Sequence, residues 1–232
     1  SVYNVADSLV KQLRTRQQKV WKPKDETGTV VWHRDILDVD LTAGEWLILA
    51  RTNFIANKIA TTIKEQGYLF WREGSGWSIS PNVLTGIEVW LKLCKDQSLS
   101  AQELKKLSTL ILTEATVRGG RKKLASLDTE QTYTLTDIQD LLSPSVNKET
   151  PWYEVLKVSE KERIYITSVR RMGESILTGT PRIKISTIHK AKGGEADNVA
   201  LLLDSSRACA ESLDQDSEVR TFYVGLTRAR KS

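Results

Sequence analysis

The chain has 232 residues, 40% of them hydrophobic and 27% charged, with a formal net charge of +5. That composition excludes a disordered polyelectrolyte, and no apolar run approaches the roughly 20 residues that a membrane-spanning helix needs. Cys94 and Cys209 are isolated, and only His33 and His189 accompany them, so neither a disulfide framework nor a zinc cluster can be assembled. The start lacks signal-peptide organisation, which leads to the expectation of an intracellular, cytoplasmic protein.

In chain order, Val2, Val5, Ala6, Leu9 and Leu13 fall at helical spacing and predict an amphipathic helix from Ser1 to about Gln17. A Pro-containing connector, Val20 to Asp25, leads to a predicted strand at Gly28 to His33. Trp46 to Ala50 is a compact apolar strand that ends at Arg51-Thr52-Asn53. Thr52 or Asn53 caps the next helix, whose buried face is Ile55, Ala56, Ile59, Ala60 and Ile63 and whose end is Gly67. A strand at Tyr68 to Arg72 and a Gly74-Ser75-Gly76 bend follow.

The next segments read as helical. Ser80 and Pro81 open one helix with Leu84, Ile87, Leu91 and Cys94 on a face; Ser100 and Glu103 form a capping box for another, striped by Leu104, Leu107, Leu110 and Ile111. Arg118 to Lys123 reads as a basic, flexible turn, either a backbone contact for nucleic acid or a solvated loop. Short helices are expected between Leu124 and Val158, and a second capping box, Ser159 with Glu162, opens a helix that carries Tyr165, Val169 and Met172 to Gly173.

Strands resume at Ile183 to Ile188 and at Val199 to Leu203, the latter apolar throughout, as expected of a strand covered on both faces. In the final helix, Ser217 or Asp216 is the expected cap and Val219, Phe222, Tyr223 and Leu226 the apolar face. Arg228 then lies nearly opposite that face. The pattern is an α/β domain, a parallel sheet flanked by helices, interrupted by a mostly helical insertion. The expected division is 1–75 with 164–232 for the α/β domain and 76–163 for the inserted subdomain.

Between the last two strands lie His189, Lys190, Lys192, Gly193, Gly194, Glu195 and Asp197. Such a turn is either a solvated basic loop or a contact for a phosphate-bearing partner, because adjacent glycines permit close approach and His and Lys meet anionic oxygens. Parallel sheets bind ligands beyond the carboxyl ends of their strands, so Arg51 and the 189–195 turn are expected on one edge, with Arg228 directed toward it. No glycine in the chain is followed by lysine, so a GxxxxGK[ST] phosphate loop is absent, as is a DExx-type acidic pair for Mg²⁺.

Three strings carry a resemblance. Ser186-Thr187-Ile188-His189-Lys190-Ala191-Lys192-Gly193-Gly194-Glu195 resembles motif V of the UvrD/Rep/PcrA-like superfamily 1 DNA helicases, Phe222-Tyr223-Val224-Gly225-Leu226-Thr227-Arg228-Ala229 resembles their motif VI, and Ile48-Leu49-Ala50-Arg51-Thr52-Asn53 resembles their motif IV. Lys190 departs from the small residue often found there, and Gly194 from a common Leu.

The resemblance implies the second RecA-like domain of an ATP-dependent, 3′-to-5′ helicase. Arg51 and Arg228 would contact the γ-phosphate as catalytic arginines; Gly194 and Glu195 would complete the nucleotide site, Glu195 at the ribose. Thr187, His189 and Lys190 would contact single-stranded DNA at duplex junctions. The phosphate loop and Mg²⁺ would belong to an N-terminal RecA-like domain of the intact protein, and this chain alone would be inactive. A non-catalytic nucleic-acid-binding scaffold on the same fold is the alternative.

Overall fold

The structure, a computed structural model, describes residues 2–15, 28–173, 181–191, 193–211 and 214–230, with the side chains of 208 and 210 left aside. The chain divides into two compact units, Ser1–Ser78 with Gly179–Ser232, and Ile79–Thr178. No helix among the described residues is long and apolar enough to cross a membrane.

The first unit opens with α1 (Val2–Val10), then β1 (Trp46–Ala50), α2 (Asn53–Glu65), β2 (Trp71–Arg72) and β3 (Gly76–Trp77). The second contains α3 (Pro81–Cys94), β4 (Leu99–Ser100), α4 (Ala101–Leu110), α5 (Gly120–Leu124), β5 (Thr132–Tyr133), α6 (Trp152–Val155) and α7 (Glu160–Arg171). The first unit resumes with β6 (Ile183–Thr187), β7 (Asn198–Leu201), α8 (Arg207–Ala210) and α9 (Gln215–Leu226).

In the first unit one sheet has the order β3-β2-β6-β1-β7; only the β2–β3 hairpin is antiparallel. The alternation of β1 sets both cores, since successive side chains leave a strand on opposite faces. Ile48 and Ala50 join Ile183 and Ile185 against Ile55, Ala56, Ile59 and Ile63 of α2. Leu47 and Leu49 meet Ile188, Ala191 and Ala196 of the β6–β7 crossover, with Phe222 and Val224 of α9 packed alongside. The result is a mixed α/β fold with a mostly parallel central sheet flanked by helices.

Several local expectations change. Residues 28–33 form no strand: Val31 and Trp32 are 66% and 71% exposed, and β-propensity without a neighbouring edge to pair with does not make a strand. The strand expected from Tyr68 begins only at Trp71, because the amides of Gly67 and Tyr68 close the end of α2 on Lys64 and Ile63 carbonyls. The described part of the first helix ends at Val10; the connector 20–25 lies outside the described residues. β7 is half-buried rather than covered on both faces, because it forms the sheet edge with β1 as its ladder partner, and Leu203 beyond it is 56% exposed.

Thr52 caps α2, its hydroxyl accepting from the Ile55 amide at 3.3 Å. The cap of α9 is Asp214, which accepts from the Ser217 amide, rather than Ser217 or Asp216. Asp216 instead accepts the Arg14 and Thr15 amides, tying the segment after α1 to α9.

The second unit is not wholly helical, since β4 and β5 pair as a two-stranded antiparallel sheet. Its core includes Trp90, Leu93, Leu104, Leu107, Leu124, Ile138, Val155, Ile166 and Val169. Trp90 and Leu93 are buried whereas Leu91 and Cys94 are only partly so: the buried face of α3 is rotated toward the larger ring, whose Nε1 donates to the Thr150 carbonyl at 2.9 Å. The Ser100–Glu103 capping box forms in both directions; at Ser159 only the hydroxyl half is made. Within 118–123, Arg121 is engaged: Nε and Nη2 donate to the Ser108 and Thr109 carbonyls at 2.6 and 2.9 Å near the end of α4. Both cysteines are free and partly buried, and burial pushes the Cys94 thiol above its ordinary range.

Candidate nucleotide and nucleic-acid site

β1 and β6 are parallel and in register through Ala50 and Thr187, and the Ile188 amide continues the ladder by donating to the Ala50 carbonyl at 3.0 Å. Arg51 and His189 therefore emerge beside each other at the carboxyl end of the sheet. β2 lies beyond β6, and the Lys190 ammonium sits over the hairpin turn, 3.3 Å from where a Cβ on Gly74 would lie. His189 and Lys190 are exposed; Thr187 is 7% exposed, and its hydroxyl accepts from the Lys190 amide at 3.4 Å. Thr187 shapes the turn, leaving the exposed side chains of His189 and Lys190 as the outward groups.

Arg51 is not a free guanidinium. Nε and Nη2 donate to the two carboxylate oxygens of Glu218 at 2.7 and 2.6 Å, with the side chains only 18% and 15% exposed. The pair's hydrogen bonds raise the Arg51 pKa and hold the Glu218 carboxyl below its usual range against the opposing effect of burial; the nearby His189 adds to the depression. Glu218 was not legible as a partner of Arg51, because an acidic residue in the first turn of a helix already has a local reason to be there.

The other end of the crossover lies elsewhere. Asn198 pairs with Trp46 at the amino end of β1, and the Ala196 amide, next to Glu195, donates to the Arg228 carbonyl at 3.1 Å. The expectation that all three segments open on a single rim is therefore corrected: Arg51, Thr187, His189 and Lys190 gather at the carboxyl end, while Glu195 and the Arg228 backbone lie at the amino end. A crossover that follows β6 must travel back along the sheet before β7 can run parallel to β1. Glu195 is exposed. Gly193 has φ +92°, and the Gly194 amide is engaged, donating to the Ala191 carbonyl at 2.9 Å.

Arg228 also differs from its expected outward direction. Its Nε donates to the Val224 carbonyl at 3.0 Å and Nη2 to the Thr227 hydroxyl at 3.3 Å, so the guanidinium folds back along α9 and is part-buried. The sheet-facing side of α9 centres on Gly225, its buried position: a Cβ there would come within 2.8 Å of Leu201 Cδ1. A hydrophobicity count misses a glycine that allows close approach, and the expected face is accordingly rotated by about one residue, ~100°.

Arg228 still returns to the helix that holds Arg51. Glu218 and Val224 are six residues apart, which at 1.5 Å per residue separates the two guanidinium anchors by about 9 Å along the axis. The amino-end ion pairs are structural by contrast: Arg230 joins Glu45 at 2.8 Å and Asp197 at 3.2 Å. Among the described residues no group of three or more His, Cys, Asp and Glu could hold a metal ion.

A mostly parallel sheet, a glycine-containing crossover from its carboxyl to its amino end, and an arginine-bearing helix packed across that crossover define a RecA-like C-terminal domain of the helicase type. Residues 91–232, more than half of the chain, match the UvrD-like helicase C-terminal domain family. The chain belongs to that family. No curated relative matches it.

Proposed function

We propose that this chain supplies the second RecA-like domain of an ATP-dependent DNA translocase moving 3′ to 5′, with ATP held between it and an N-terminal RecA-like domain of the same intact protein. The unit of residues 1–78 with 179–232 acts as that domain, and the unit of residues 79–178, which keeps the whole of α7 rather than dividing it at 163 as expected, acts as an inserted accessory subdomain. The observation that supports this most is that Arg51 and Arg228 are both anchored on α9, at the Glu218 carboxylate and the Val224 carbonyl, about 9 Å apart in rise along its axis.

In this reading the two guanidiniums turn to the terminal phosphate when the domains close, offering forked donors as negative charge shifts to the leaving group. Glu195, exposed toward the amino end of the sheet, accepts from the ribose hydroxyls, and Gly194 leaves the turn room for the nucleotide. Mg²⁺ and the phosphate loop are assigned to the N-terminal domain, since the sequence contains no GxxxxGK[ST] string. His189 and Lys190 meet the phosphates of single-stranded DNA near a duplex junction, with Thr187 setting their turn.

A non-catalytic scaffold is the second reading, and the closed Arg51–Glu218 pair favours it. Steady-state ATP hydrolysis by the intact protein separates the two: turnover stimulated by single-stranded DNA supports the translocase, and no turnover leaves the scaffold. His189→Ala is expected to weaken single-strand binding several-fold in fluorescence anisotropy at fixed salt, with little effect on ATP affinity. The reverse pattern would reassign His189 to the nucleotide.

A further inference from the structure

We propose that Glu218 is a latch for Arg51: it occupies the guanidinium in the absence of a terminal phosphate, and that phosphate has to displace it. This rests on the reading of Arg51 as a γ-phosphate contact.

The geometry makes the two partners exclusive. Glu218 takes the Nε and Nη2 donors of Arg51 together, at 2.7 and 2.6 Å, which is the same fork a phosphate uses. One edge of a planar guanidinium cannot serve both anions, so contact through that edge requires the carboxylate to let go. The pair is largely enclosed, so solvent does not weaken it as it would an exposed one.

Release does not strand the carboxylate. Glu218 sits in the first turn of α9, where the unpaired amides and the positive end of the helix dipole favour a negative charge. His189 lies at the adjoining strand end and already adds to the stabilisation of the ionised carboxyl. The switch is therefore an exchange of partners between two anions that bind the same cation. Glu218 acts as a positioning residue, setting how strongly the site distinguishes nucleoside triphosphate from diphosphate.

The test uses the intact protein and compares its affinities for a non-hydrolysable ATP analogue and for ADP. Glu218→Gln is expected to raise the analogue-to-ADP affinity ratio about tenfold, the size of effect expected when one charge-assisted competitor is removed. In an Arg51→Ala background the same substitution is expected to leave the ratio unchanged. Should Glu218→Gln fail to fold, Glu218→Asp keeps the charge with a shorter reach, and a smaller rise is expected. Arg51→Ala leaving the ratio unchanged would defeat the γ-phosphate reading and the latch with it. A ratio lowered by Arg51→Ala but unmoved or lowered by the Glu218 variants would overturn the latch alone.

Discussion

Replacing Arg228 by alanine in the intact protein is expected to lower DNA-stimulated ATP turnover by about 10³-fold or more, the loss that follows removal of an arginine that neutralises a transferring phosphoryl group. The fold is expected to survive. Arg228 contributes hydrogen bonds to the Val224 carbonyl and the Thr227 hydroxyl on its own helix, and losing such contacts costs about 1–2 kcal/mol. Its backbone link to Ala196 does not depend on the side chain. Steady-state turnover alongside a thermal melt checks both halves. Arg228→Lys is expected to recover little, since an ammonium supplies a point charge rather than a planar fork. Turnover close to that of the unsubstituted protein would remove Arg228 from the chemistry.

The largest effect on stability is expected at a residue remote from that chemistry. A Cβ on Gly120 would lie 2.2 Å from the Leu141 carbonyl oxygen, 3.1 Å from its carbon and 3.2 Å from Val117 Cγ2. That carbonyl also accepts the Val117 amide at 3.2 Å, so backbone on both sides is already committed. Gly120→Ala must push α5 off the 136–141 turn, at a cost of about 3 kcal/mol or more. For a unit of this size the melting temperature should fall by roughly 12 °C or more. Gly119→Ala is the control: at φ +79° with nothing within 4 Å of its Cβ, it meets conformational strain alone, about 1 kcal/mol. Equal melting of the two variants by circular dichroism would show that the close approach at Gly120 carries no weight.

What could be read from the residues alone follows the range of the forces involved. β1, α2, α4 and β6 were legible because their hydrophobic spacing and caps act within a few residues: Thr52 at α2 and the Ser100–Glu103 box at α4 are local hydrogen bonds. The segment at 28–33 misled because β-propensity is local whereas strand pairing is not. The face of α9 misled for a related reason: Gly225 contributes no hydrophobic side chain, yet it is the point where helix and sheet come closest. At the candidate site, the neighbourhood of Arg51 and His189 followed from strand ends. The Arg51–Glu218 pair did not, because it joins residues 167 positions apart. Nor did the separation of Glu195 from His189, which depends on the crossover running the length of β1 between two parallel strands.

The most direct measurement is a structure of the intact protein with a non-hydrolysable ATP analogue and single-stranded DNA. The account predicts the terminal phosphate within about 2.7–3.2 Å of guanidinium nitrogens of both Arg51 and Arg228, Arg51 parted from Glu218, and the ribose hydroxyls at Glu195. A terminal phosphate bound away from both arginines, with the Arg51–Glu218 pair still closed, would contradict it.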